Sequence, residues 1–264
     1  MPILSAKILE NQERIAGSGI FFLKLIAPQI VQTAKTGQFI QVLVNQASCD
    51  PLLRRPFCIY RIDPDTDRLE LLYQVVGKGT AILSQQPVGT ELSLLGPVGS
   101  GYSLDPGQEK SLLIGGGMGW AGLNQLYQEL IQKEADFELF FGARNHESFQ
   151  ATISAEKIIA DWAATDDGSF GYHGFVTELV SQWLEKNPSV KPYIYACGPT
   201  PLLRAVQKLA QQHGLSGQMS LEARMACGFG VCLGCAVKKA EGVGYYKVCR
   251  DGPVFELNQV DFDE

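Results

Sequence analysis

Residues 111–135 read SLLIGGGMGWAGLNQLYQELIQKEA. An apolar run passes through a glycine turn into apolar residues at helical spacing, which predicts a buried strand followed by an amphipathic helix. FELFFGAR (137–144) reads as a second buried strand, VTELVSQWLEK (176–186) as a helix and PYIYACG (192–198) as a third strand. PLLRAVQKLAQQHG (201–214) reads as a helix stopped by Gly214. Strands alternating with helices at this spacing predict a parallel α/β sheet with helices on its faces.

Outside this unit the pattern changes. GQFIQVLV (37–44), RRPFCIYRI (54–62) and RLELLYQVV (68–76) are short runs rich in β-branched and aromatic residues, separated by turn-formers such as DPDTD (63–67). They predict an antiparallel barrel or sandwich. GPVGSGYSLDPGQEK (96–110) is rich in glycine and proline and reads as a domain boundary. The last 45 residues hold four cysteines and many glycines and read as a third, smaller unit. The expected division is 1–102, 103–218 and 219–264, with no internal repeat.

Hydrophobic residues at 45% and charged residues at 19% suit a globular protein with a normal core. The net charge is −6 with no offsetting Lys/Arg cluster, which argues against nucleic-acid binding. No apolar run approaches the roughly 18 residues of a membrane span. The opening MPILSAKILENQERIAG lacks a basic stretch followed by an apolar one, so no signal peptide is expected. Seven cysteines, four of them clustered, suit a reducing cytoplasm and a local metal site.

That cluster is Cys227, Cys232, Cys235 and Cys249, spaced C-x4-C-x2-C-x13-C. The x4–x2 interval with a distant fourth cysteine is the plant-type ferredoxin pattern for a [2Fe–2S] cluster, with a structural zinc as the alternative. Gly228, Gly230 and Gly234 let the loop wrap closely, so that backbone N–H groups can face cluster sulfurs. GGGMG (115–119), between strand and helix, would let a pyrophosphate approach the backbone, although glycine turns there are common and the full G-x-G-x-x-G fingerprint is missing. CGPTP (197–201) ends a later strand, where ligands of open α/β sheets bind. Arg55 in RRPFC reads either as a phosphate partner or as a solvated strand-edge arginine. GKGT (77–80) reads as a phosphate-facing helix start or an ordinary capped turn. His146, His173 and His213 match no ligand spacing, and Trp120, Trp162 and Trp183 read as core or interface.

Taken in order, RPFC, GKGT, GPVGSGY, GGGMG, CGPTP and the cysteine cluster resemble the ferredoxin–NAD(P) reductase superfamily. The chain is most similar to the electron-transfer, iron–sulfur flavoprotein subunits of class 1B dihydroorotate dehydrogenases. The resemblance spans essentially the whole chain and is most specific in LEARMACGFGVCLGCAV (221–237) and KVCRDGPVFELNQVDF (247–262). It implies an N-terminal FAD-binding β-barrel in which Arg55, Pro56, Phe57 and Cys58 form the flavin segment. Leu72, Tyr73 and Gln74 would contact the flavin, and Gly79 with Thr80 would hold its diphosphate. A NAD site would come from Gly115, Gly116, Gly117 and Gly119 with Cys197, Gly198 and Pro199. The four cysteines would ligate one [2Fe–2S] cluster. Two positions depart from the family pattern: Cys58 replaces a hydroxyl residue, and Gly122 stands where a proline is common.

The resemblance also implies a direction. A nicotinamide exchanges two electrons, a [2Fe–2S] cluster takes one, and a flavin handles both, so FAD belongs between them. An FMN barrel for dihydroorotate oxidation would need about 250 residues, and every residue here is already allotted. The oxidation then falls to an FMN-containing catalytic partner, in a heterotetramer of two of each, in the cytoplasm and in pyrimidine biosynthesis. The reductase subunit of a sulfhydrogenase or of an NADH-dependent ferredoxin–NADP transhydrogenase would share the FAD and nucleotide units. A zinc-stabilised adaptor is the non-enzymatic alternative. Arg144 after the second α/β strand could meet the 2′-phosphate of NADP or lie in solvent, so NAD is taken from the resemblance.

Overall fold

The computed structural model describes residues 3–45, 48–104, 110–153 and 158–262. Seven strands of the first hundred residues form one antiparallel sheet. They are β1 (Ile3–Glu13), β2 (Ile20–Ile26), β3 (Phe39–Leu43), β4 (Arg55–Cys58), β5 (Arg61–Asp63), β6 (Arg68–Gln74) and β7 (Glu91–Val98). Their order is β4-β3-β7-β1-β2-β6-β5. Alternation assigns the faces: Leu23, Leu25, Leu69 and Leu71 are fully buried inside, with Ile40, Val42 and Leu94. On the other face Lys24 lies 3.1 Å from Glu10 and 3.7 Å from Glu70. Glu70 is buried as well and is paired at 2.6 Å with Arg61 Nε. Two short helices, α1 (Pro28–Val31) and α2 (Lys78–Ser84), connect strands.

The run 54–62, expected as one strand, changes partner midway. Ile59 N–H donates to the Gln38 carbonyl at 3.1 Å, while Tyr60 N–H donates to the Glu70 carbonyl at 2.9 Å. One continuous segment therefore supplies both β4 and β5, the two ends of the sheet order.

The second sheet is built from β8 (Ser111–Gly116), β9 (Phe137–Ala143), β10 (Trp162–Thr165), β11 (Tyr172–His173), β12 (Tyr193–Cys197) and β13 (Gly217–Ser220). Beyond it, β14 (Ala236–Lys238) and β15 (Tyr245–Lys247) form a hairpin, and β16 (Val254–Glu256) returns to the large sheet. The order is β11-β10-β9-β8-β12-β13-β16, parallel throughout except for β13 with β16. The antiparallel edge follows from the chain path. After the cysteine loop and the hairpin the tail returns to the same end of β13, Leu221 N–H donating to Pro253 O at 2.9 Å, and runs back along it, whereas a parallel pairing would have needed the chain to cross to the other end.

A 3-10 turn at Gly117–Gly119 leads into α3 (Trp120–Gln132). With α4 (His146–Thr152), it covers the sheet face carrying Leu113, Leu139 and Phe141. The opposite face, with Leu112, Ile114, Phe140 and Ile194, is covered by α5 (Val176–Lys186) and α6 (Thr200–His213). Gly214 caps α6 in the left-handed region, φ 62°. Trp120 is fully buried, and Trp162 stacks on Phe140 with ring centroids 5.6 Å apart. The two sheets meet through Asn124, whose Nδ2 donates to Tyr60 O at 3.1 Å. Residues 105–109 of the Gly/Pro-rich stretch lie outside the described residues. Among the described residues no helix is long and apolar enough to cross a membrane.

Candidate functional site

A cleft of about 350 Å³ opens between the sheets. Arg55, Pro56, Phe57 and Cys58 of β4 form one wall, and Leu72, Tyr73 and Gln74 of β6 another. Phe39, Val76, Thr80, Met118, Ala121 and Pro253 complete it, with Leu221, Glu222, Ala223 and Met225 from the segment before the cysteine loop. Partner exchange within 54–62 sets this wall, because it brings β4 and β6 to one corner. Phe57 packs edge-on against Tyr73 at 5.5 Å, and the Tyr73 hydroxyl donates to Asn11 Oδ1 at 3.0 Å. The rings are thereby held while Gln74 stays exposed at the rim.

Arg55 lies across the start of α2, where a Cβ on Gly79 would come within 2.7 Å of its Nε. Its Nη1 donates to Leu53 O at 2.6 Å at the exposed rim of the cleft, which Arg55 lines. The Thr80 hydroxyl accepts from Val76 N–H at 3.0 Å and Gly77 N–H at 3.2 Å, and donates to Gly77 O. It is therefore occupied as a cap, so the capped-turn reading of that hydroxyl holds although Thr80 lines the cleft.

The glycine turn and CGPTP come together where the strand order reverses, between β8 and β12, the position at which open α/β sheets bind ligands. Their glycines serve different ends. A Cβ at Gly119 would lie 2.2 Å from Cys197 O, and one at Gly115 would lie 2.9 Å from the Phe141 ring, so both are required by packing. Gly116 is 3.3 Å by the same measure from Pro199, and Gly198 faces Gly116 and Leu202. Gly117, φ 49°, faces open space and leaves its backbone accessible. Arg144 is exposed beyond β9.

Three titratable groups that the sequence left unconnected converge behind this turn. A Cβ on Gly122 would lie 2.9 Å from Cys197 Sγ and 3.6 Å from Cys58 Sγ. Burial pushes the Cys58 thiol up to about 12, with the Glu222 charge adding to it. Burial, then Cys58 and Glu222, likewise hold Cys197 well above the ordinary thiol range. Glu222 lines the cleft mouth, solvent-accessible but crowded by protein, and its carboxyl is raised by desolvation. The signal that could have found it was LEARMACG itself, since a residue just before the cysteine loop must pass the flanking domain.

The four cysteines lie on one loop and its return. Cys235 and Cys249 are buried with their sulfurs 3.3 Å apart, and Cys249 N–H points at Cys235 Sγ at 3.5 Å. Cys227 receives Val231 N–H at 3.4 Å, and Cys232 receives Gly234 N–H at 3.4 Å. Burial opposes ionisation of Cys227, but the backbone donors of Phe229, Cys232 and Val231 and the Cys232 side chain outweigh it, so the thiol falls to about 6. Burial and the neighbouring sulfurs of Cys235 and Cys227 push Cys249 up to about 12. Leu233, φ 60°, holds an exposed left-handed turn between Cys232 and Gly234.

Residues 222–261, which contain all four cysteines, match the iron–sulfur cluster binding domain of dihydroorotate dehydrogenase B. Residues 113–208 match the oxidoreductase NAD-binding domain. The "Dihydroorotate dehydrogenase B (NAD(+)), electron transfer subunit" of Desulforamulus reducens is 36% identical over 98% of both chains. The chain belongs to the dihydroorotate dehydrogenase B electron-transfer subunit family. The family member from Streptococcus mutans is 34% identical over 99% of this chain and all of its own. A solved NADH-dependent reduced ferredoxin–NADP oxidoreductase, reported for flavin-based electron bifurcation, superposes with TM-score 0.79 at 25% identity, covering 97% of this chain and 90% of its own. A ferredoxin reductase of carbazole 1,9a-dioxygenase shares the fold, with TM-score 0.63 at 24% identity over 81% of this chain and 67% of its own.

The cysteine set of this family member fits a two-iron cluster. Its sulfurs form two pairs, Cys227 with Cys232 and Cys235 with Cys249, and Cys227 lies near enough to raise Cys249. Two irons that each take two thiolates need such an arrangement. The cleft, lined by Phe39, Phe57, Leu72 and Tyr73 with Arg55 at one end, has the chemistry for a flat apolar ring bearing a phosphate tail.

Proposed function

We propose that this chain is the electron-transfer subunit of an NAD-dependent dihydroorotate dehydrogenase B in pyrimidine biosynthesis. It passes electrons from a catalytic partner through a [2Fe–2S] cluster and FAD to NAD⁺. One observation carries the reading beyond family likeness: Met225 lines the cleft, and the first cluster cysteine, Cys227, follows two residues later. A single short segment thus spans from the flavin cleft to the cluster loop.

In this reading the first sheet closes as a barrel through Arg55–Asp63, and the units divide at 1–102, 103–218 and 219–264. Arg55, Pro56, Phe57 and Cys58 seat the FAD ring against Leu72, Tyr73 and Gln74. Gly79 and Thr80 present the α2 backbone to the diphosphate, with Arg55 beside it. Gly117 offers open backbone to NAD, Gly115, Gly116 and Gly119 let the turn pack, and Cys197, Gly198 and Pro199 border the nicotinamide end. Cys227, Cys232, Cys235 and Cys249 hold the cluster. Bound FAD supplies the exchange between one-electron and two-electron carriers.

The exposed apolar side chains Phe229, Val231 and Leu233 on the cysteine loop form the face for the FMN-containing catalytic subunit, two of each per assembly, in the cytoplasm. The test is to express the chain alone. It should purify yellow-brown with FAD, two iron and two labile sulfide, oxidise NADH with artificial acceptors, and leave dihydroorotate untouched. Dihydroorotate oxidation by the isolated chain would sink the division of labour. The likeness to the NADH-dependent ferredoxin–NADP oxidoreductase supports a second reading, which co-purification distinguishes: a dihydroorotate-oxidising partner favours the first, a ferredoxin–NADP reductase partner the second.

A further inference from the structure

Gln41 lies in β3, where alternation with Ile40 and Val42 would turn it toward solvent. Instead it is fully buried, because the cysteine loop packs over that face of the strand. Its Nε2 lies 3.7 Å from Met225 Sδ, and its Oε1 is buried without a hydrogen-bond partner. Gly228, φ 77°, follows Cys227 directly, and a Cβ there would fall 2.1 Å from Gln41 Nε2, nearer than to Cδ or Cγ. The amino end of the carboxamide thus presses on the loop. Phe39, on the same face, and Pro56, paired with Gln41 across the ladder, both line the cleft.

A buried carboxamide whose oxygen has no partner is costly to bury, and an apolar residue would fill this place without that cost. On the reading above, the carboxamide sits between the flavin cleft and the first cluster ligand. We propose that Gln41 is a positioning residue for the iron–sulfur cluster, seating the Cys227–Gly228 turn against the sheet and biasing the cluster toward its reduced form. The amide N–H₂ carries partial positive charge, and positive charge beside a cluster that gains an electron favours reduction.

The test uses the full chain with FAD and cluster bound. Wild-type protein is first titrated with redox dyes and followed by electron paramagnetic resonance; absence of a [2Fe–2S] signal there would overturn the functional reading itself. Gln41→Glu replaces the amino end with oxygen, and Gln41→Leu removes the dipole. In Gln41→Glu the electron partition should move about tenfold from cluster toward FAD, equivalent to about 59 mV for one electron. Gln41→Leu should move it less, in the same direction. NADH–ferricyanide turnover, which reads the flavin alone, should stay within about twofold. Loss of iron from both variants with FAD retained would support the seating role. Wild-type potential and spectrum in an iron-replete Gln41→Glu protein would overturn the proposal, whatever Gln41→Leu does.

Discussion

Cys58 and Cys197, on different sheets, bring their sulfurs to the same glycine: a Cβ at Gly122 would lie 3.6 Å from one and 2.9 Å from the other. Both departures from the family pattern, Cys58 and Gly122, therefore occupy one spot. A helix that carries no side chain at 122 leaves room for the buried thiol of Cys197 and the half-buried thiol of Cys58.

Gly122→Ala tests this packing. The added methyl should cost about 1–3 kcal/mol by overpacking, offset by about 1 kcal/mol of helix propensity. In a Cys197→Ala background the collision is gone, and the same substitution should stabilise by about 1 kcal/mol. Denaturant unfolding of the four proteins in the cycle measures the reversal of sign.

Thiol chemistry offers a second check. Cys58, pushed up to about 12, and Cys197, held well above the ordinary thiol range by burial, should be almost wholly protonated at pH 8. Iodoacetamide at that pH should label exposed Cys49 and spare both, as read by peptide mass mapping.

Glu222 predicts a pH-dependent stability. Its folded carboxyl is raised by desolvation from the crowding protein, so ionising it opposes folding, by an amount that solvent screening at this exposed position keeps small. Below the ordinary carboxylate value both states are protonated and the group is neutral in the balance. As pH climbs from there through the raised folded value, the native state loses stability. Glu222→Gln should match wild type at the acid end and exceed it above that window by on the order of 1–3 °C in Tm. Calorimetry across pH decides, and parallel curves would refute the assignment.

Asn124 joins the sheets by one hydrogen bond to Tyr60 O. Asn124→Leu removes that buried hydrogen bond and should cost about 1 kcal/mol, seen as a lower urea midpoint.

Cluster removal should separate the two halves of the relay. On the proposed reading Cys249 is a buried ligand, so Cys249→Ala should abolish iron binding while FAD content and NADH–ferricyanide turnover persist. Iron assay and visible spectra of the purified variant provide the measurement.

Much of this was legible in one dimension. VTELVSQWLEK became α5 over the same residues, and PYIYACG and FELFFGAR became buried central strands. Local pattern suffices there, because period and burial agree along each segment. RRPFCIYRI read as one strand because its composition is uniform; the switch of partner at Ile59 and Tyr60 depends on where β3 and β6 lie.

The sequence by itself determined the chemistry available: four cysteines at ferredoxin spacing, a glycine turn between strand and helix, and an arginine beside an aromatic strand. Spacing along a chain limits which groups a short loop can gather, so those motifs carry their meaning locally. Only the tertiary structure decided which glycines serve packing and which leave backbone open. It also placed Glu222 with Cys58 and Cys197, and it buried Gln41 under the cysteine loop. Those relationships join residues distant in sequence, and they exist only once the two sheets and the tail have packed.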